Sequence, residues 1–487
     1  MGILDDRRWD GRIWSGGEWT APTGGTRDVV EPATGKVLGQ IGLAGADQVK
    51  GAAAGAAEAQ RAWREAPFHE RARVLRTAGG LLGQHAAEVE NWLVREAGSV
   101  RPKAAFEIGV AANECYEAAA LPSHPYGELL ASGEPRLSFA RRRPAGVVAV
   151  IAPFNVPLIL SIRSVAPALA LGNAVVLKPD PRTAVSGGAV LAALFEQAGL
   201  PGGVLQMLPG GAEVGAALVA DDSVQVVSFT GSTRAGRVVG ELAARHLKRA
   251  HLELGGNSAL VVLDDADVTA AVGLAAWGSF FHQGQVCMTT GRHLVHRSLV
   301  DSYVSALSAK ADALPVGDPA TEEVALGPII DAGQRDRIHG LVTASAAAGA
   351  TVAAGGHYDE LFYRPTVLTS VTADMPVYAE EVFGPVAPVL AFDDLEEAAR
   401  LAAASDYGLS LGIVTGDPLR ALELAERIPS GAVHINDQTV NDEAQIPFGG
   451  VGDSGTGARF GGAAANIEAF TETQWVTMRR QPARYPF

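Results

Sequence analysis

Between residues 147 and 245 the chain alternates short aliphatic runs with longer stretches of helical spacing. That alternation narrows the fold more than any other feature. Residues 147–151, 174–177, 204–208 and 224–229 are largely apolar and rich in valine, whereas 158–171, 186–198 and 234–245 read as helices. Strands that are apolar on both faces must be covered on both, and a parallel sheet flanked by helices does this. The fold class is therefore α/β, and ligands of such sheets bind at the carboxyl ends of the strands. A second α/β set begins with a strand over 258–263 and a helix over 270–282, and extends to about residue 435. Upstream, 46–121 reads as helical, and 126–143 reads as an extended hairpin around Gly133.

At 487 residues the chain is long enough for about three domains or two large ones. It carries 39 Lys+Arg against 54 Asp+Glu, a net charge of −15, which argues against a general nucleic-acid binder. With 47% hydrophobic and 19% charged residues the composition is globular rather than disordered. Two cysteines, Cys115 and Cys287, support neither a disulfide scaffold nor a Cys-rich zinc site, so no metal is expected. Residues 144–162 lack charge and follow Arg141, Arg142 and Arg143, as a membrane span would, but Pro144, Pro153 and Pro157 break a spanning helix. No apolar run opens residues 1–8, and the expectation is a cytoplasmic protein without a membrane or nucleic-acid partner.

Five short motifs carry chemistry, each with a plain alternative. In Phe229-Thr-Gly231-Ser232, the glycine admits a close ligand and the serine can cap a helix and meet a phosphate; an ordinary strand-to-helix turn reads the same. Lys178, before Pro179, is either a ribose or phosphate contact or a solvated strand end. Glu253, before Leu254-Gly255-Gly256, is either a general base beside backbone that lets another group approach or a capping carboxylate. Cys287 follows Gly284-Gln-Val and precedes Met-Thr-Thr, a polar setting suited to a nucleophilic thiolate, whereas Cys115 among alanines reads as a small core residue. Asn155, between Phe154 and Val156-Pro157, is either an oxyanion donor or a turn residue. His282 and His293 flank the Cys287 loop as thiol activators or structural hydrogen-bonders. Gly450-Val-Gly452-Asp-Ser454-Gly455 fits G-x-G-x-x-G, but Pro447-Phe448 stands where a strand is required. The Gly-Asp-Ser-Gly within it belongs, as a peptidase signature, to an all-β fold.

Together, in this order, these motifs resemble the aldehyde dehydrogenase superfamily, as do Glu381-Val-Phe383-Gly-Pro385, Pro447-Phe448-Gly-Gly450 and the 34 residues separating Glu253 from Cys287. The likeness runs from about Trp14 to Trp475. It implies a dinucleotide-binding domain over 1–125 and 145–256 and a catalytic domain over 257–455. It further implies an oligomerisation hairpin and tail over 126–144 and 456–487, in a homodimer or homotetramer. It also implies roles. Cys287 attacks an aldehyde, Asn155 and the Cys287 amide hold the oxyanion, and Glu253 activates water against the thioester. Lys178, Gly231 and Ser232, Glu381, Phe383 and Phe154 face the cofactor. Many NAD-preferring members carry Glu three residues after the lysine, where Pro181 and then Arg182 stand here. NAD is thus expected with NADP accepted, Arg182 being placed to meet a 2′-phosphate.

Within the superfamily, the segments around Asn155 and Cys287 resemble benzaldehyde dehydrogenases most, with vanillin and salicylaldehyde dehydrogenases as neighbours. Phe281, Val286, Met288 and Phe448 would then form an apolar wall for a benzene ring. The alternatives are a phenolic aldehyde, an aliphatic or semialdehyde substrate met by Arg163 or Arg292, and a non-catalytic relative. No buried polar partner for a ring hydroxyl is legible.

Overall fold

The computed structural model describes residues 2–4 and 7–487; of the N-terminal stretch, Met1, Asp5 and Asp6 lie outside the described residues. The chain opens with two antiparallel pairs, β1 (Ile13–Ser15) with β2 (Glu18–Thr20) and β3 (Thr26–Val30) with β4 (Val37–Gly42). The helical segment that follows is four helices, α1 (Ala46–Glu65), α2 (Phe68–Gln84), α3 (Ala86–Ala97) and α4 (Arg101–Ala120). Pro67 separates the first two, and Gly98, left-handed at φ 66°, ends the third.

A hairpin of β5 (Gly127–Leu129) and β6 (Leu137–Pro144) leads into the alternating region. There follow β7 (Val147–Ile151), α5 (Pro157–Ala170), β8 (Ala174–Lys178), α6 (Val190–Gln197), β9 (Leu205–Met207), α7 (Ala212–Ala220), β10 (Val224–Thr230), α8 (Thr233–Arg245) and β11 (Arg249–Glu253). They build a sheet in the order β11-β10-β7-β8-β9-β1-β2, parallel except for the last two strands. Val148, Val175 and Val226 are wholly buried in it, as two-sided cover requires. Helix α6 starts later than the pattern predicts. Glu96 of α3 accepts the amides of Val185 and Ser186, and residues Val185–Ala189 wind a π turn first.

A second set comprises β12 (Ser258–Val262), α9 (Val268–Phe280), β13 (Thr290–His296), β14 (Thr351–Ala354), β15 (Tyr358–Asp359), β16 (Phe362–Tyr363), β17 (Thr366–Thr369) and β18 (Val386–Phe392). It ends with β19 (Tyr407–Gly408), β20 (Ser410–Val414), β21 (Ala432–Ile435), β22 (Val451–Gly452) and β23 (Thr471–Met478). Its main sheet runs β14-β17-β18-β13-β12-β20-β21, with only β14 antiparallel. The tail strand β23 pairs with β6 of its own chain to give a separate sheet, β23-β6-β5.

Register fixes what the first sheet presents. Ile151 lies opposite Lys178 and Phe229, and Thr230 lies opposite Glu253. Being parallel, β7, β8, β10 and β11 all release their chains at one edge. Asn155, Lys178, Gly231, Ser232 and Glu253 gather there. The uncharged stretch 144–162 divides between β7 and α5, and among the described residues no helix is long and apolar enough to cross a membrane.

Candidate active site

The loop that carries Cys287 begins where α9 stops, two residues earlier than its pattern predicts. His282, Gln283 and Gly284 take φ values of 49°, 54° and 65° in succession. Left-handed backbone is strained for the first two and natural for glycine. Gly284 is further required because a Cβ there would lie 2.1 Å from the Gly384 carbonyl oxygen. Buried amides hold the loop: Gln283 Nε2 donates to the carbonyls of Gly98 (3.0 Å) and Pro328 (2.9 Å), and Gln285 Oε1 accepts from the Ile330 amide (3.1 Å). Residues 282–286 and Met288 are buried, while Cys287 between them is half-buried.

What Cys287 faces is two cavities. One, of about 480 Å³, has an apolar wall that includes Phe281, Val286, Met288 and Phe448, with Glu253 also on its lining. The other, of about 710 Å³, is lined by Phe154, Gly231, Ser232, Glu381 and Phe383 among others. Asn155, Leu160, Thr230, Leu254 and Cys287 line both. Each reaches the surface past its own exposed residues, Phe106 and Trp277 for the first, Ser232 and Arg234 for the second.

Residues 19–476 match the model of the Aldehyde dehydrogenase family. The chain belongs to the aldehyde dehydrogenase family. It is 68% identical over 487 residues to a vanillin dehydrogenase of Amycolatopsis sp., covering 100% of both chains. It is 49% identical over 480 residues to a benzaldehyde dehydrogenase [NAD(+)] of Pseudomonas putida, covering 98% of each. Among solved structures, it superposes with a TM-score of 0.94 at 35% identity on a salicylaldehyde dehydrogenase from Pseudomonas putida G7 complexed with salicylaldehyde, covering 98% of this chain and 99% of that one.

Around Cys287, this aldehyde dehydrogenase arranges its polar groups tightly. Asn155 is buried and donates through Nδ2 to the Gln285 carbonyl at 2.7 Å. That bond fixes the amide plane and uses one of its two N–H groups. Glu253 is buried at the end of β11, and neither of its oxygens has a hydrogen-bond partner. The two glycines after Leu254 make room: a Cβ on Gly255 would lie 2.5 Å from Glu381 Oε2, and one on Gly256 2.3 Å from the Cys287 carbonyl oxygen. Glu381 Oε1 accepts the Gly256 amide at 3.0 Å.

Burial governs the ionisation here. It pushes the Cys287 thiol up to about 12, helped by the Glu381, Glu253 and Asp442 carboxylates and opposed by Arg163. It pushes Glu253 up to about 8 against the charges of Arg163 and Arg459, and Glu381 to about 7 against the Gly256 amide.

Lys178 is buried at the end of β8, on the sheet edge that carries Ser232, with its stem beside Gly215, and burial lowers its pKa. Expectations for the arginines need correction. Arg182 donates to both carboxylate oxygens of Asp180 (2.9 and 2.8 Å) and to Asp331 (2.8 Å), so three of its five N–H groups are engaged and its charge is offset. Arg292 is spent on the carbonyls of Asn257, Leu401 and Ala402. Arg163 does line the first cavity, but it is paired with Glu114 (3.2 Å) and Asp442 (2.5 Å). His293 is locked between Tyr303 and Ser279, and burial lowers it to about 3; His282 is fully buried and held well below its ordinary value, by burial first and the Lys103 charge second. Neither histidine serves the thiol as a base. Ser454 is buried with its hydroxyl on the Gly408 amide, as a structural residue. Cys115 is fully buried, as expected of a core residue.

The sequence reading missed Trp277, which stacks on Phe281 with ring centroids 4.6 Å apart and 18° between planes. Its signal was present, since residues four apart share a helix face. Asp442 carried no such signal, because only the tertiary fold brings its loop to Arg163.

Proposed function

We propose that the protein oxidises an aromatic aldehyde to the carboxylic acid with NAD, through a thiohemiacetal and a thioester on Cys287. The observation that carries this reading is the position of one accessible sulfur on the lining of two cavities, one apolar and aromatic, the other bordered by a helix N-terminus. The vanillin and benzaldehyde dehydrogenases named above supply the substrate class, and the second of these supplies NAD. Semialdehydes fit less well, since Arg163 and Arg292 are both already engaged.

The second cavity suits a dinucleotide. Ser232 caps α8 by accepting the Ala235 amide (3.3 Å), which leaves its hydroxyl hydrogen and the positive helix end for a pyrophosphate. Glu381 keeps Oε2 for a ribose hydroxyl, and Phe154 and Phe383, with centroids 5.9 Å apart, form one wall. NAD bound there supplies the hydride acceptor.

The chain's residues do the rest. The thiol loses its proton to solvent water, and the thiolate Sγ bonds to the aldehyde carbon as the carbonyl π pair moves onto oxygen. The second Asn155 N–H and the Cys287 amide stabilise the resulting oxyanion. Its collapse expels hydride and leaves an acyl group on sulfur. Glu253 in its ionised form takes a proton from water, whose oxygen attacks the thioester; the acid departs and the sulfur is restored. Residues 1–125 and 145–256 act as the cofactor-binding part, 257–455 as the catalytic part, and 126–144 with 456–487 as the surface through which two or four copies assemble in the cytoplasm.

With benzaldehyde and NAD, wild type should form reduced nicotinamide continuously and Cys287→Ala none. Glu253→Gln should give a burst of about one equivalent per site before slowing by about 10²-fold or more. Full turnover by Cys287→Ala would defeat the reading.

A further inference from the structure

Helix α4 places one ammonium group against the first cavity, whose lining includes Lys103. Lys103 is 1% exposed and fully hydrogen-bonded: Nζ donates to Ser99 Oγ (3.0 Å), to Glu107 Oε2 (2.5 Å) and to the backbone carbonyl of Asn155 (3.1 Å). The other oxygen of Glu107, itself wholly buried, accepts the amides of Leu158 (2.8 Å) and Ile159 (3.4 Å), in the first turn of α5. One buried pair therefore grips both sides of a short connection between β7 and α5, and Asn155 lies within it. Asn155 precedes Val156, which stands at the start of α5 without a side-chain cap.

We infer that Lys103, backed by Glu107, is a positioning residue: it anchors the Asn155 backbone from α4 so that the side-chain amide, tied to Gln285 on the Cys287 loop, faces the reacting oxygen. This inference rests on the proposed oxyanion role of Asn155. Asn155 is then held at two points, its carbonyl by α4 and its amide by the nucleophile's own loop, and the free N–H is aimed by both. A preorganised donor is worth most when it needs no reorganisation as charge develops. Replacing a buried ion pair by apolar residues of equal volume is often neutral or stabilising, so stability alone is a weak reason for this one.

The test is a double-mutant comparison on the full chain with benzaldehyde and NAD. Lys103→Met should lower kcat by about 10- to 100-fold with KM held within about threefold, because the donor matters more to the developing oxyanion than to bound aldehyde. In the Asn155→Ala background the same substitution should change kcat by less than about threefold, since nothing is left to aim. Losses that multiply, a Lys103→Met enzyme with wild-type kcat, or a change in KM alone would overturn the inference. A fully active Asn155→Ala would instead defeat the oxyanion reading beneath it. Should Lys103→Met not fold because it strands the Glu107 charge, Lys103→Met/Glu107→Gln removes that charge and carries the same comparison.

Discussion

Glu253 is a base that burial keeps protonated at neutral pH, and this sets the pH dependence of the proposed reaction. Its acid form dominates below about 8, so kcat should climb as pH rises through that value, and Glu253→Gln should lose that limb. The same shift acts on stability. A carboxyl whose pKa is raised by folding contributes most below its ordinary value near 4.5, and that contribution is lost as pH rises through about 8. Glu253→Gln should therefore melt higher than wild type at pH 9 and alike at pH 4, as calorimetry would register. Arg182 sets a second expectation. With Asp180 and Asp331 engaging three of its N–H groups and offsetting its charge, Arg182 offers a 2′-phosphate little, and kcat/KM should favour NAD over NADP by at least about tenfold, about 1.4 kcal/mol. The placement of a side chain was legible where its sequence neighbours carry the reason, as with Glu253, which ends β11 before Leu254 and two glycines. That of Arg292 was not, because the carbonyls its guanidinium meets, those of Leu401 and Ala402, lie far away in the chain.

At the level of elements, the glycines after β11 couple that strand to the nucleophile's loop. Gly256→Ala pushes a methyl group against the Cys287 carbonyl, which is backbone and cannot swing aside. The expected result is a loss of about 1–3 kcal/mol in stability and a fall of about 10²-fold in kcat, read by denaturant titration and by turnover. Strand and helix order came through clearly in the sequence, since β7, β8 and β10 repeat a short aliphatic signature. The left-handed run at 282–284 did not. The apolar pattern of α9 continues past Phe280, and contacts with residues distant in sequence, such as 98, 328 and 330, hold the turn there.

On the scale of the whole molecule, the β23-β6-β5 sheet leaves an apolar face unpaired. Leu129, Leu137 and Met478 are 81%, 43% and 60% exposed, and strand register sets them on one side with Phe139 and Val476. A contiguous patch of this kind marks an interaction surface, and the proposed assembly of copies would cover it. Leu137→Glu with Met478→Glu should shift the mass seen by light scattering toward the monomer, and an unchanged mass would argue that assembly lies elsewhere. The placing of Cys287 at the junction of two separately opened chambers has a last consequence. Neither reactant stands in the other's doorway, so an aromatic blocker lodged on one side leaves the nucleotide free to come and go.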